Sequence, residues 1–217
     1  MCTRYTFIPE SIRRNPLPPN ISLPDDPRPH YNVAPQQFAW VVRWRDGDPV
    51  CEKMQWGYVP GRMDPSRAQV NLRAESVFGT LMFDESAKHS RCVVLASGWY
   101  EWPDKGRGTK PRYYYRSGGG LLGLAGLWTL NRTMGLDTYA IISTAVNPTS
   151  TYVHNRTPVV LREDLYGLWL NTAVIHEGPL AEALRPYQPP DLAYHRVGTY
   201  INDPTFDSEK CVERVDH

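Results

Sequence analysis

The sequence predicts an α+β fold that is mainly β, and three observations predict it. Runs rich in β-branched and aromatic residues recur at strand length, helical spacing of apolar side chains is confined to three short windows, and no change of composition marks a second folding unit. With 217 residues, 41% of them hydrophobic, the chain is long enough to close a sizeable core. One domain over residues 1–217 is expected.

In chain order, residues 15–35 (NPLPPNISLPDDPRPHYNVAP) are too rich in proline for a long helix and are expected to run extended over the surface. Residues 38–44 (FAWVVRW) read as a strand. Helical spacing first appears at 74–83, where Val77, Phe78, Leu81 and Met82 would share one side. Strands are expected again at 92–96, 112–116 (RYYYR), 121–129, 139–145 and 157–161. Ser117, Gly118, Gly119 and Gly120 would turn a hairpin. A helix at 162–171 would bury Leu165, Leu168 and Trp169, and a short one is expected at 179–185.

The formal charge of +1 argues against a face that grips polyanions indiscriminately, so any nucleic-acid site must be built from a local arginine cluster. No run of about 18 apolar residues occurs, and the opening MCTRYTFIPESIRR lacks the layout of a secretory leader. A soluble, intracellular protein without membrane contact is expected. Cys2, Cys51, Cys92 and Cys211 stand far apart with no Cys/His partner at ligand spacing, so they read as reduced thiols rather than a metal site. The glycine-rich stretches near Gly106 and Gly118 lack the phosphate-loop pattern, and no cofactor is expected.

Four places could carry chemistry. Cysteine is small, so removal of Met1 is expected and would leave Cys2 with a free α-amine, a 1,2-aminothiol. An amine with a pKa of about 7.7–8 beside a thiol near about 8.5 can take an aldehyde as an imine and close it through sulfur into a thiazolidine. The same cysteine could serve acyl transfer, or be incidental. Glu101 lies between Tyr100 and Trp102, where burial would raise its pKa into the range of a proton shuttle; an exposed edge-strand glutamate is the plain alternative. His154 and Arg156, two apart, would share a face in extended chain, and so would Asn71 and Arg73. For the latter pair, taken in isolation, a helix cap by Asn71 and an exposed Arg73–Glu75 ion pair are the preferred reading. Trp56 could be core or a stacking platform for a base.

Taken in order, MCTRY, YNVAP at 31–35, WGYVP at 56–60, NLRAES at 71–76, RCVVLASGWYEW at 91–102, AGLW at 125–128, STAVNP at 143–148 and HNRTPVVL at 154–161 resemble the SOS-response-associated peptidase (SRAP) family. Residues 199–202 (TYIN) and 207–212 are similar to its closing segment. The resemblance implies a barrel-like β core with a few flanking helices, and a protein that binds abasic sites in single-stranded DNA and links to them through the N-terminal cysteine. It implies Cys2 as the covalent nucleophile, Asn71 positioning the amine, Glu101 as acid/base and His154 assisting opening of the sugar. Arg4, Arg73 and Arg156 would hold backbone phosphates, and Pro35, Trp56 and Trp102 would pack against neighbouring bases. A monomer is expected, cytoplasmic and nucleoid-associated when bound, or nuclear if the source is eukaryotic. Thr3, Leu95, Ser97 and the Gly61-Arg62-Met63 segment depart from the family's usual residues and blur DNA placement more than chemistry.

Two other readings use the same residues. A cysteine peptidase, one that could act on its own N-terminus, would attack an amide with Cys2; a non-covalent reader of single-stranded or modified DNA would not need Cys2 at all. An aldehyde substrate discriminates between them.

Overall fold

The computed structural model describes residues 2–14, 21, 23, 27–103, 110–146 and 154–215, apart from the Arg13 side chain. Its centre is a closed ring of five strands: β3 (Phe38–Arg45), β4 (Asp48–Trp56), β6 (Arg91–Ala96), β9 (Leu122–Asn131) and β10 (Leu136–Ala145). β4 runs parallel to β10, and antiparallel pairings β10–β9, β9–β6, β6–β3 and β3–β4 complete the circuit. β5 (Asn71–Arg73) and β11 (Arg156–Pro158) attach to the far half of β10. A second, antiparallel sheet has β1 (Tyr5–Phe7), β2 (His30–Val33), β7 (Gly98–Glu101), β8 (Arg112–Arg116) and β12 (Leu192–Arg196) in the order β12-β8-β7-β1-β2.

Side chains of successive strand residues point to opposite faces, and the ring strands bury both except β4, which buries only Met54 and Trp56 on its inner side. Val41, Met54, Trp56, Cys92, Val94, Leu124, Tyr139 and Ile141 form one apolar cluster. Their alternates, Val42, Val93, Leu95, Ala125, Leu127, Ala140 and Ile142, pack with helical residues such as Trp169, Leu170 and Leu180. The first set, without helices on it, fills the barrel; the second is its helix-covered wall. This explains why β6 reads as an unbroken apolar run rather than an alternating one.

The helices are α1 (Glu10–Arg14), α2 (Leu81–His89), α3 (Tyr166–Leu170) and α4 (Glu177–Ala183). Arg91, 1% exposed, ties two of them to the barrel by donating to the carbonyls of Ala87, Lys88, Trp169, Asn171 and Val174. Ala87, Lys88 and Trp169 lie in the last turns of α2 and α3, where carbonyls lack intrahelical partners and a cation meets the negative end of each helix; Asn171 and Val174 follow α3. Burial lowers the guanidinium to about 10.

The expected β character and few helices are present, with four differences of detail. The helix expected over 74–83 is a 3-10 turn at Ala74–Ser76 followed by α2, because Gly79 takes a positive φ of 82° and Thr80 is extended. Leu81 is consequently 96% exposed rather than core. Residues 117–120 turn the chain but make no hairpin, since β8 belongs to one sheet and β9 to the other. The strand at 157–161 is limited to β11, with a lone bridge from Val160 to Leu124. Much of 15–35 lies outside the described residues, and its last part forms β2.

Replacing Arg91 by leucine removes a donor from five carbonyls, two of them in fully buried bonds, and is expected to cost about 3–5 kcal/mol in urea unfolding, the scale for removing one partner of a buried charged network. A loss under about 1 kcal/mol would show that the carbonyls find other donors.

Candidate active site

Cys2 lies just before β1 with no exposed surface, in the same cluster as the barrel interior. Its carbonyl accepts a hydrogen bond from Asn71 Nδ2 at 2.8 Å, and its thiol reaches toward the Arg4 carbonyl at 3.7 Å. Asn71 opens β5, which pairs with Ile141 to Ser143 of β10. On β5, Leu72 is buried against the helix-covered wall, so Asn71 and Arg73 face the other way, toward the barrel mouth. The Asn71 Oδ1 is buried and has no hydrogen-bond partner among the described residues. An amine beside Cys2 is the donor such an oxygen lacks.

Glu101 closes β7, the central strand of the second sheet, so it is not on an edge. Gly98 lets this strand lie flat on β8: a Cβ there would collide with the Tyr114 carbonyl and the Tyr113 ring. Trp99 and Glu101 share one face, and Trp99 belongs to the barrel-side cluster with Cys2. Tyr100 faces the opposite way, into a separate cluster with Tyr113, Val197, Ile201 and Cys211. Glu101 is 3% exposed, and burial raises its pKa to about 7. Burial also pushes the Cys2 thiol well above its ordinary range, and the nearby Glu101 charge adds to this. The two groups therefore sense one another in a site that disfavours either anion.

A second group lies at the end of β10. Arg73 is in register with Ser143, and Arg156 with Ala145. Arg156 donates to Ser143 Oγ at 3.1 Å and Ser143 O at 2.6 Å, and pairs with Glu75 at 2.8 Å. The ion pair expected between Arg73 and Glu75 is thus formed with Arg156 instead, and that hydrogen bonding lowers the Glu75 pKa. Arg73 is exposed. His154 Nδ1 accepts from the Arg156 main-chain N–H at 3.0 Å. In the neutral ring this leaves the proton on Nε2.

The family model for SOS response associated peptidase (SRAP) matches residues 1–204. The chain belongs to this family. Relatives include the abasic site processing protein YoaM of Bacillus subtilis, 28% identical over 88% of this chain and 87% of its own length. The abasic site processing protein HMCES of Gallus gallus is 29% identical over 87% of this chain and 67% of its own length. Among solved structures, one from Bacteroides thetaiotaomicron superimposes with a TM-score of 0.79 at 21% identity, covering 99% of this chain and 100% of that one. A phage-related protein from Bordetella bronchiseptica gives 0.74 at 24% identity, covering 90% and 94%. At these identities the structures establish the fold.

The SRAP motifs bring Cys2, Asn71 and Glu101 together; Arg73 and Arg156 stand on the adjoining strands β5 and β11, and His154 lies in the bend just before β11. One expected DNA contact is corrected. Trp56 has no exposed surface: it is T-shaped on Tyr5 at 5.2 Å, stacked on Tyr139 at 6.3 Å, and donates to Val70 O. It is core because its side of β4 points into the barrel. Arg4 is half-buried and donates to Asn32 Oδ1, Ile201 O and Asn202 O, the last of these bonds lying at the surface. Pro35 and Trp102 are half-buried and keep accessible surface. Sequence reasoning overlooked Ser143, although it opens the STAVNP motif, because a serine in a strand carries no signal of the arginine it will orient.

Glu101 gives a pH signature in stability. Its folded pKa lies above the unfolded one, so its contribution is present below about pH 4.5 and is lost as pH rises through about 7. Glu101→Gln is expected to stabilise the fold by up to about 3 kcal/mol at pH 8, with the difference vanishing near pH 4. A pH-independent difference in denaturant midpoints would refute the buried, raised carboxyl.

Proposed function

We propose that this chain binds abasic sites in single-stranded DNA and, once Met1 is removed, joins itself to the open-chain sugar through Cys2. One observation carries the reading: the residue that would bear both amine and thiol is held by Asn71 and lies beside a buried carboxyl raised to about 7. The names of the relatives, abasic site processing proteins in a bacterium and a bird, support the substrate.

The α-amine of Cys2 adds to the aldehyde carbon, and water leaves to give an imine. The Cys2 sulfur then adds to the imine carbon, the nitrogen regains a proton, and a thiazolidine closes with net loss of one water. Near neutral pH Glu101 is present in both protonation states, so it can donate to the departing oxygen and later accept the thiol proton. Asn71 Oδ1 orients the amine, and His154 Nε2 is the donor suited to assisting ring opening. Capture by sulfur diverts the imine from β-elimination and so shields the strand. Run backwards with the same groups, the chemistry releases the protein. Arg73 and Arg156 hold phosphates beside the lesion, and Pro35 and Trp102 meet neighbouring bases. The protein acts as a monomer, wherever single-stranded DNA is present.

A peptidase reading needs a thiolate near neutral pH, and both burial and the Glu101 charge oppose it. An amine-first route does not.

Incubation with a single-stranded oligonucleotide bearing one abasic site is expected to give a heat-stable adduct weighing protein plus DNA minus one water. Cys2→Ala and retention of Met1 abolish it, and Glu101→Gln slows it by about 100-fold. Peptide turnover without DNA, and no adduct from protein confirmed to lack Met1, would overturn the reading. With two arginine–phosphate contacts, log affinity against log salt should slope by about −1.4; a slope near zero would remove phosphate recognition.

A further inference from the structure

We infer that Asn202 is a positioning residue that fixes the indole of Trp102 at the rim of the active site. The inference rests on the DNA reading above. Trp102 follows the last residue of β7 and has left the sheet ladder, so strand pairing no longer sets its backbone. Its ring N–H donates to Asn202 Oδ1 at 2.8 Å. The Asn202 main-chain carbonyl accepts from Arg4 Nη2 at 3.2 Å, and the Ile201 carbonyl accepts from Arg4 Nη1 at 2.5 Å and Asn32 Nδ2 at 3.3 Å. One short loop thus holds both the residue two places after the nucleophile and the residue next to the carboxyl.

This loop is itself anchored. The 3-10 turn Thr199–Asn202 buries Ile201 fully in the cluster with Tyr100, Tyr113, Val197 and Cys211. The chain enters it at Gly198, where any Cβ would strike the Tyr200 ring. It leaves with Asp203 capping Thr205, and with Asn32 Nδ2 donating to the Asp203 and Phe206 carbonyls. Asn202 is exposed while its amide is committed to Trp102, an arrangement that serves the ring rather than the core. A stacking surface whose orientation is set before binding loses less freedom when a base arrives.

The test is the concentration dependence of adduct formation, with abasic-oligonucleotide binding to the Cys2→Ala form followed in parallel by anisotropy. Asn202→Ala should raise the half-saturating DNA concentration on the order of fivefold, the worth of one neutral hydrogen bond, acting on half-saturation rather than on the saturated rate. The Trp102 indole N–H resonance, assigned by its loss in Trp102→Phe, should move in Asn202→Ala. In the Trp102→Phe background, which has no ring donor, Asn202→Ala should have no further effect. An equal loss in both backgrounds, an unmoved resonance, or an effect on the saturated rate alone overturns the inference. Binding without any wild-type adduct would instead overturn the covalent reading and leave the Asn202 comparison valid in the anisotropy series. Absence of all DNA binding would overturn both.

Discussion

The arrangement depends on β10 having neighbours on both sides along the middle of its length. Its first half closes the barrel between β9 and β4; its second half, past the end of β4, takes β5 and β11 instead. Main-chain hydrogen bonding is obligatory for buried backbone, so a strand that outruns its partners must recruit others. Here the recruits carry the site. β5 supplies Asn71 and Arg73, and β11 supplies Arg156, all fixed in register by ladder bonds rather than by loops.

The second consequence is desolvation. The small sheet lies across the barrel mouth and places Trp99 and Glu101 on the barrel side, next to Cys2. Water excluded from this junction cannot solvate an anion, so carboxyl and thiol are both held toward their neutral forms. A carboxyl balanced near neutral pH moves protons in either direction, whereas a thiol held neutral attacks well only when a base takes its proton during attack. The proposed chemistry accordingly begins at the amine.

Arginine is used for two purposes. Arg4, which also donates to Asn32 Oδ1, and Arg91 bond main-chain carbonyls and knit the closing loop and the helices to the sheets. Arg156 is oriented by Glu75 and Ser143 yet remains at the rim, and Arg73 is exposed beside it. The guanidinium has five donors in a fixed plane, so its role follows from which acceptors the fold presents.

The sequence by itself determined a mainly β chain, because β-branched and aromatic runs announce strands whatever they pair with. It also determined the chemical inventory: an aminothiol in waiting at Cys2, a carboxylate flanked by aromatics at Glu101, and the alternation that puts Asn71 with Arg73 and His154 with Arg156 on common faces. Short strands such as β1, β5 and β7 were illegible, since three or four residues carry no measurable period and owe their form to their neighbours. Pairing decided the rest. Trp56 and Trp102 look alike in sequence, but one side of β4 faces a closed barrel while Trp102 lies just beyond the end of β7, so only tertiary structure made the first core and the second rim. Arg4 and Arg73 likewise differ only in the acceptors brought to them from up to 198 residues away, and no local rule reads contacts that chain closure alone creates.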